Sequence, residues 1–343
     1  MSKTNSGRFF EDFRPDEVIP HATPRSLGEG ERALYVALTG SRFAVQSSHA
    51  FARALGYESA PFDDLLVFHI VFGRSVPDIS LNAVANLGYA EVRFFGAVHD
   101  GDSLTATSRV IGLKENSSRE TGTVYVRTEG SNQRGETVLS FVRWVMVRKR
   151  GKEAPAPAPI VPQLAECVGS DKLGLPGKID LSRYDAALAG SPHLWDDYAI
   201  GERIDHVDGM TIEEACHMTA TRLYQNTAKV HFNQHAEKEG RFGRRIVYGG
   251  HVMSLARALS FNGLANAHRI LAINGGRHVN PCFAGDTVYA WTEVTDRLEL
   301  ATAKAGALRL RTVATKNRAC ADFPKEGPEV LLDLDYTVLM PRR

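Results

Sequence analysis

Within residues 221–260, TRLYQNTAKVHFNQHAEKEGRFGRRIVYGGHVMSLARALS, an amide (Asn226), a histidine (His231) and a glycine pair (Gly249, Gly250) precede a run of good helix formers, HVMSLARALS. A helix that opens on Gly-Gly offers its first N–H groups to a ligand with no Cβ in the way, and those donors carry partial positive charge. Such a start suits an oxygen that gains negative charge, phosphate or enolate alike. Histidine moves protons near neutral pH, its ordinary pKa being roughly 6.5. An amide does not titrate, yet it holds a water by accepting one hydrogen bond and donating another. Tyr224 and Tyr248 stand beside these groups and offer hydroxyl donors or, equally, buried rings. The plainer reading makes Gly249-Gly250 a turn, His231 a satisfied core histidine and Asn226 a cap or turn residue.

The elements that must position these residues occur twice. Phe10-Glu11-Asp12-Phe13, then Glu17, Ile19 and His21, return with every spacing kept as Trp195-Asp196-Asp197-Tyr198, then Glu202, Ile204 and His206, an offset of 185 (from 10 to 195). Gly101-Asp102-Ser103-Leu104 returns as Gly285-Asp286-Thr287-Val288, an offset of 184 (from 101 to 285). Two echoes at nearly one offset indicate a duplicated module, and the period is far too long for a solenoid. Between the copies, residues 152–159 (KEAPAPAP) form neither helix nor central strand and predict an extended, semi-rigid spacer that runs on to about Pro192. The organisation expected is an N-terminal module over 1–150, a Pro/Ala-rich linker over 151–192 and a C-terminal module over 193–343.

Each copy reads as an aromatic-acidic opening, a helical stretch (28–38; 211–225), a second helix from near Asp64 or Gly249, and then long strands. The strands expected are 89–95, 103–113, 122–130 and 137–148 in the first copy, and 287–295, 307–316 and 329–339 in the second. Gly-Asp marks a tight turn before a strand. Val124, Val126 and Thr128 alternate with Tyr125, Arg127 and Glu129, the period-two pattern of a sheet with one covered face. The fold class expected is α+β.

Composition excludes several classes of function. The chain has 343 residues, 43% of them hydrophobic, enough for two cores. Its 41 Lys and Arg against 40 Asp and Glu leave a formal net charge of +1, so no broad field points to nucleic acid or an anionic membrane. Cys167, Cys216, Cys282 and Cys320 are scattered without a CxxC pair or histidines at metal-ligand spacing, which predicts reduced thiols, no metal and no disulfide framework. The opening MSKTNSGRFFEDF lacks a signal peptide's apolar run, and no stretch approaches the ~20 apolar residues that span a bilayer; a cytoplasmic protein is expected.

His231, Phe242, the Arg244-Arg245-Ile246 approach and Gly249, eighteen residues after His231, resemble the hydratase motif of the MaoC-like dehydratases, the (R)-specific enoyl-CoA hydratase family. That resemblance implies a double hot-dog fold, in which two sheets join edge to edge and the two helices lie back to back. Asn226 stands where the family carries its catalytic aspartate, Ala228 where it has asparagine and Lys229 where it has proline. The strings PFDDLLVFHIVFGRSVPDISLNAVANLGYAEVRFF, FVRWVMVRKR, ATRLYQNTAKVHFNQ and YGGHVMSLARALSFNGLANA are similar to the mesaconyl-CoA hydratase (β-methylmalyl-CoA dehydratase) branch of that family, over nearly the whole chain except the Pro-Ala linker. The branch implies reversible hydration of mesaconyl-CoA in a C5 dicarboxylic acid route such as the ethylmalonyl-CoA pathway.

On that reading His231 is the acid/base, Asn226 positions water, and the backbone N–H of Gly249 or Gly250 receives the thioester oxygen. No cofactor is expected beyond the CoA of the substrate. An acyl-CoA is the expected partner, with no nucleic acid and no membrane, and self-association into a homo-oligomer is compatible with the sequence. The free carboxylate of mesaconate calls for a cation, with Arg222, Arg244, Arg245 and Arg277 as local candidates. Shifting back by 185 puts His231 on Gln46, Asn226 on Ser41 and Gly249 on Asp64, so the first half is expected to be a degenerate site that packs and lines the acyl-CoA tunnel. Asp63 and Asp64 keep two alternatives open: a thioesterase that uses one of them to activate water, and a non-catalytic acyl-CoA binder.

Overall fold

The period-two runs of both copies assemble into one eleven-stranded sheet in a computed structural model that describes residues 3–174, 179–300 and 304–343. The strands are β1 (Val18–Ser26), β2 (Ala83–Phe94), β3 (Ser103–Glu115), β4 (Thr121–Ser131), β5 (Thr137–Arg148), β6 (Arg203–Asp205), β7 (Met210–Thr211), β8 (Arg269–His278), β9 (Thr287–Glu299), β10 (Ala305–Lys316) and β11 (Val330–Pro341). Their order is β1-β3-β4-β5-β2-β8-β11-β10-β9-β6, with β7 beside β9. Read outward from the β2–β8 seam, the two halves carry the same order, and the seam itself is antiparallel. Ala90 faces Gly275 across it, an offset of 185 (from 90 to 275), so a pseudo-twofold axis passes through that pair.

Each half wraps its sheet around one long helix, Asp64–Ile79 in the first and Gly249–Leu259 in the second. DLLVFHIVFG is apolar nearly all round, and a helix of that kind is stable only when buried on every side. Its residues Leu65, Phe68 and Phe72 share one core with Val252, Met253 and Leu255 of the second helix. His69 Nε2 meets Ser254 Oγ at 2.9 Å, again 185 residues apart. The helices therefore lie back to back on the same axis, and the fold is a double hot dog.

The sequence echoes prove to be scaffolding. Phe10 lies against Gly122 and Trp195 against Gly306, where a Cβ would come within 2.3 and 2.5 Å of the rings. Asp102 and Asp286 each accept the backbone N–H three residues earlier, at 2.9 Å in both halves. His21 is held by Asp78 and Ser108 (2.8 and 2.7 Å), and His206 by the Asn262 carbonyl and Thr292 (2.7 and 2.8 Å).

Two expectations about strands are corrected. β2 starts at Ala83, six residues before the expected start, and β8 had no counterpart among the strands read from the second copy. In β2 the register shifts between Ala90 and Arg93, where Glu91 has φ +50°, so the alternation breaks. In β8, Gly275-Gly276 resembles a turn but is strand; Gly276 faces Tyr89, whose ring would lie 3.4 Å from an added Cβ. After the Ala-Pro run the spacer packs on both modules: Ile160 bridges Leu113, and Val168, Leu173 and Leu181 enter a core with Phe51 and Leu271. Among the described residues no helix is long and apolar enough to cross a membrane.

Candidate active site

The segment that follows the helix Glu214–Leu223 crosses the first half's long helix at Gly73. A Cβ there would lie 1.9 Å from the Tyr224 carbonyl oxygen, so only glycine lets the two backbones meet. Gln225 then takes φ +51°, a conformation that costs energy for a residue with a Cβ, and turns the chain so that Asn226 points inward. Asn226 is 4% exposed. Its Oδ1 accepts the Ala228 N–H at 3.1 Å, the turn role that the plainer reading foresaw. Its side chain also lines a cavity of about 520 Å³ together with Gly73, Arg74, Thr221, Arg222 and Phe232.

His231 lies on the single turn Lys229–Phe232. The ring is clamped from residue 246: Nδ1 lies 3.1 Å from the Ile246 carbonyl, and the Ile246 N–H donates to the Val230 carbonyl at 3.0 Å. A carbonyl only accepts, so Nδ1 carries the hydrogen and Nε2 keeps its lone pair, the tautomer that a base requires. Burial pulls the group down to about 4, with the nearby His217 and His278 adding to the shift, so the imidazole is neutral at physiological pH. Its ring packs edge-on against Tyr248, with centroids 5.5 Å apart.

Tyr248 is the N-cap of the second long helix and makes no side-chain cap bond. Among the described residues no acceptor takes the N–H groups of Gly249 and Gly250, while His251 N–H donates to the Tyr248 carbonyl at 2.8 Å. The glycines are sterically enforced: a Cβ on Gly249 would lie 2.5 Å from His278 Nδ1, and one on Gly250 2.5 Å from the Tyr248 ring and 2.6 Å from His69. The Tyr224 ring lies tilted 4.5 Å from His69 and edge-on 5.9 Å from Tyr248, and burial raises its hydroxyl pKa above the usual range for tyrosine. The structure thus gathers His231, Tyr224, Tyr248, Gly249 and Gly250 around the helix start. Of the predicted site residues Asn226 lines the cavity, as does Phe232, the neighbour of His231; none of the five gathered residues does.

The family model described as mesaconyl-CoA hydratase matches residues 1–323. The chain belongs to the mesaconyl-CoA hydratase family. It is 62% identical to the β-methylmalyl-CoA dehydratase of Chloroflexus aurantiacus, over 100% of this chain and 99% of the relative. It is 60% identical to the mesaconyl-CoA hydratase of Cereibacter sphaeroides, over 99% of this chain and 100% of the relative. A crystal structure of a MaoC-domain dehydratase from Chloroflexus aurantiacus superposes with a TM-score of 0.98 at 61% identity, all of both chains being covered. A Mycobacterium tuberculosis protein described as having a double hotdog fold superposes with a TM-score of 0.76 at 25% identity, over 98% of this chain and 99% of that one.

In this member of the mesaconyl-CoA hydratase family, the first half's counterpart of the site is closed. Ser41, Gln46 and Asp63, the offset mates of Asn226, His231 and Tyr248, line a remnant of only about 10 Å³. The Arg32 guanidinium fills it, donating to the carbonyls of Gln46, Pro61 and Ala60 at 3.1, 3.0 and 2.8 Å. Gln46 donates to the His268 carbonyl. Asp63 caps the first long helix by accepting the Leu65 N–H at 2.9 Å, and Asp64 accepts the Ile270 N–H at 2.9 Å. Burial raises both carboxyls, Asp64 to about 6, against the opposing pull of nearby arginines.

Of the four arginines read as carboxylate partners, Arg245 is paired with Glu214 and Arg277 with Asp333, while Arg244 lies 3.8 Å over the Phe283 ring. Only Arg222 reaches the cavity. Three neighbours escaped the sequence reading: His69, whose Nδ1 is 3.4 Å from Tyr248 Oη; His278, whose Nε2 is 3.1 Å from Tyr89 Oη; and Arg74. His69 and Arg74 sit inside an apolar helix, and His278 ends the strand that Gly275-Gly276 disguised.

Proposed function

We propose that this protein adds water reversibly across the double bond of mesaconyl-CoA to form β-methylmalyl-CoA. The observation that carries the reading is the pairing of a neutral histidine, its Nδ1–H fixed on a carbonyl, with an uncapped Gly-Gly helix start. Full-length identity of 62% and 60% to relatives named for this reaction in its two directions supports the choice of substrate.

In the hydration direction, Asn226 Nδ2 donates to a water oxygen, and His231 Nε2 takes one of that water's protons. The hydroxide bonds to the β-carbon, and the π electrons move through the α-carbon into the thioester carbonyl. The N–H of Gly249 or Gly250 receives the developing oxyanion, which a helix N-terminus stabilises most when charge is greatest. The proton on His231 then passes to the α-carbon, so hydroxyl and hydrogen from one water end on adjacent carbons. No metal or organic cofactor is called on beyond the CoA that the substrate carries.

The test is incubation of purified protein with mesaconyl-CoA while the enoyl-thioester absorbance and free thiol are followed together. Loss of the band without thiol release is expected. Thiol release would assign a thioesterase, and saturable binding with an unchanged band would assign a non-catalytic binder.

A further inference from the structure

Arg74 sits on the first long helix, 8% exposed, and lines the same cavity as Asn226. Among the described residues Nη1 makes both of the hydrogen bonds of this group, to the Thr23 carbonyl at 3.2 Å and to Thr23 Oγ1 at 3.1 Å, and Nε is buried with no partner. Among the described residues no carboxylate lies within ion-pair distance of it, and no acidic side chain lines the cavity. Arg25, close enough to be felt electrostatically, is already paired with Glu31 at 3.3 Å and donates to the Leu223 carbonyl. A buried guanidinium without an anion is costly, and each buried donor left unmade adds to the cost. The edge left over is Nε–H with Nη2–H, two parallel donors spaced for the two oxygens of one carboxylate.

We propose that Arg74 binds the free carboxylate of a dicarboxylic enoyl-CoA, side-on through Nε and Nη2, and so selects for a charged acyl group. The proposal rests on the hydratase reading above. In a trans-butenedioic monothioester the free carboxylate is bonded to the β-carbon, the atom that water attacks. Whatever cation holds it must therefore stand next to the group that holds the water, and Arg74 and Asn226 share one cavity wall. Thr23 fixes the guanidinium from behind, which lowers the entropy lost when the carboxylate docks.

The test uses succinyl-CoA and butyryl-CoA, which share the CoA moiety, differ by a terminal carboxylate and cannot be hydrated. Isothermal titration of the wild-type protein should show succinyl-CoA binding ~10–100-fold more tightly, as a desolvated bidentate pair provides. Arg74→Met should erase that preference and leave butyryl-CoA within roughly threefold of wild type, since the lost contact is to the carboxylate alone. Arg74→Lys, which keeps the charge and loses the fork, should cut the preference by about tenfold and decides the matter if Arg74→Met does not fold. A wild type that binds both ligands equally, an Arg74→Met protein that loses both alike, or Arg74→Lys indistinguishable from wild type would each overturn the proposal. Turnover of mesaconyl-CoA in the same preparations separates the two readings. Hydration without a succinyl preference removes only the carboxylate site, and a preference without hydration removes only the proposed reaction.

Discussion

The two halves share strand order, turn chemistry and a hydroxyl partner for each opening histidine, yet they part at the start of the long helix. In the first half a carboxylate caps the helix, an arginine plugs the hollow, and about 10 Å³ remains. In the second, an aromatic N-cap leaves the glycine N–H groups open, and a cavity of about 520 Å³ lies against Asn226. The contrast teaches that a helix start is a resource with two uses. Capping with Asp stabilises by about 1 kcal/mol. Leaving the same donors bare forgoes that stability and supplies an anion site.

The largest expected effect comes from separating the halves. Residues 193–343 expressed alone should be insoluble or aggregated by size-exclusion chromatography, because Val252, Met253 and Leu255 would lose Leu65, Phe68 and Phe72, and β8 would become an open edge. A soluble monomer of that half would show that the shared core is dispensable.

Next in size is the helix start. Gly249→Ala keeps the backbone N–H but sets a methyl group 2.5 Å from His278, which forces the helix start aside, and should lower turnover by ~10²–10³-fold, the range for an oxyanion donor put out of reach. Asp64→Asn, at the mate position, still offers an oxygen to the Ile270 N–H and should stay within about threefold of wild type. Equal losses at the two positions would erase the distinction between the halves.

A smaller and more discriminating effect is expected at Asn226. Asn226→Ala should cost ~10²-fold by misplacing the water, whereas Asn226→Asp should retain or gain rate on simple enoyl-CoA esters by supplying a titrating base. An inactive Asp variant that still folds would show that the amide's donor hydrogens are indispensable.

The smallest effect is on stability against pH. His206, His231, His251 and His278 are each pulled down to about 4, and His268 to about 3, mainly by burial. The unfolded chain then binds more protons than the folded one between about 4 and the ordinary histidine value of roughly 6.5. Their contribution is complete above that value and is lost progressively as pH falls toward 4. Asp63 and Asp64, both raised by burial, Asp64 to about 6, act in the opposite direction but are two groups against five. Calorimetric Tm should therefore fall between pH 7 and pH 5, and a Tm that rose over that range would contradict the assignment of these rings as neutral.

Much of the fold was legible because duplication wrote it twice. Phe10 and Trp195 or Asp102 and Asp286 could be matched by spacing alone, since each fills a backbone-level task that tolerates few residue types. The start of the second helix could be read from Gly249-Gly250, which steric contact with His278 and His69 enforces. β8 could not, because a glycine pair inside a strand, here with Gly276 packed by Leu334 and Tyr89, looks the same in sequence as a glycine pair that makes a turn. Arg74 was hidden for a related reason: one basic residue in VFGRSVPD reads as a solvated helix face, and only the packing of that helix on every side shows that the charge is buried without an anion. His69, equally enclosed, was lost in the same apolar run.

If proton transfer belongs to the second half alone, a matched pair of substitutions in the two halves must behave oppositely. With mesaconyl-CoA and the loss of enoyl-thioester absorbance as readout, His231→Ala should lower turnover by ~10²–10⁴-fold with unchanged Tm, the range for removing a general acid/base. Gln46→Ala, its mate in the closed half, should remain within about twofold of wild type. If Gln46→Ala abolishes turnover while His231→Ala retains it, the catalytic half has been assigned the wrong way round, and the site must be rebuilt around Asp63 and Asp64.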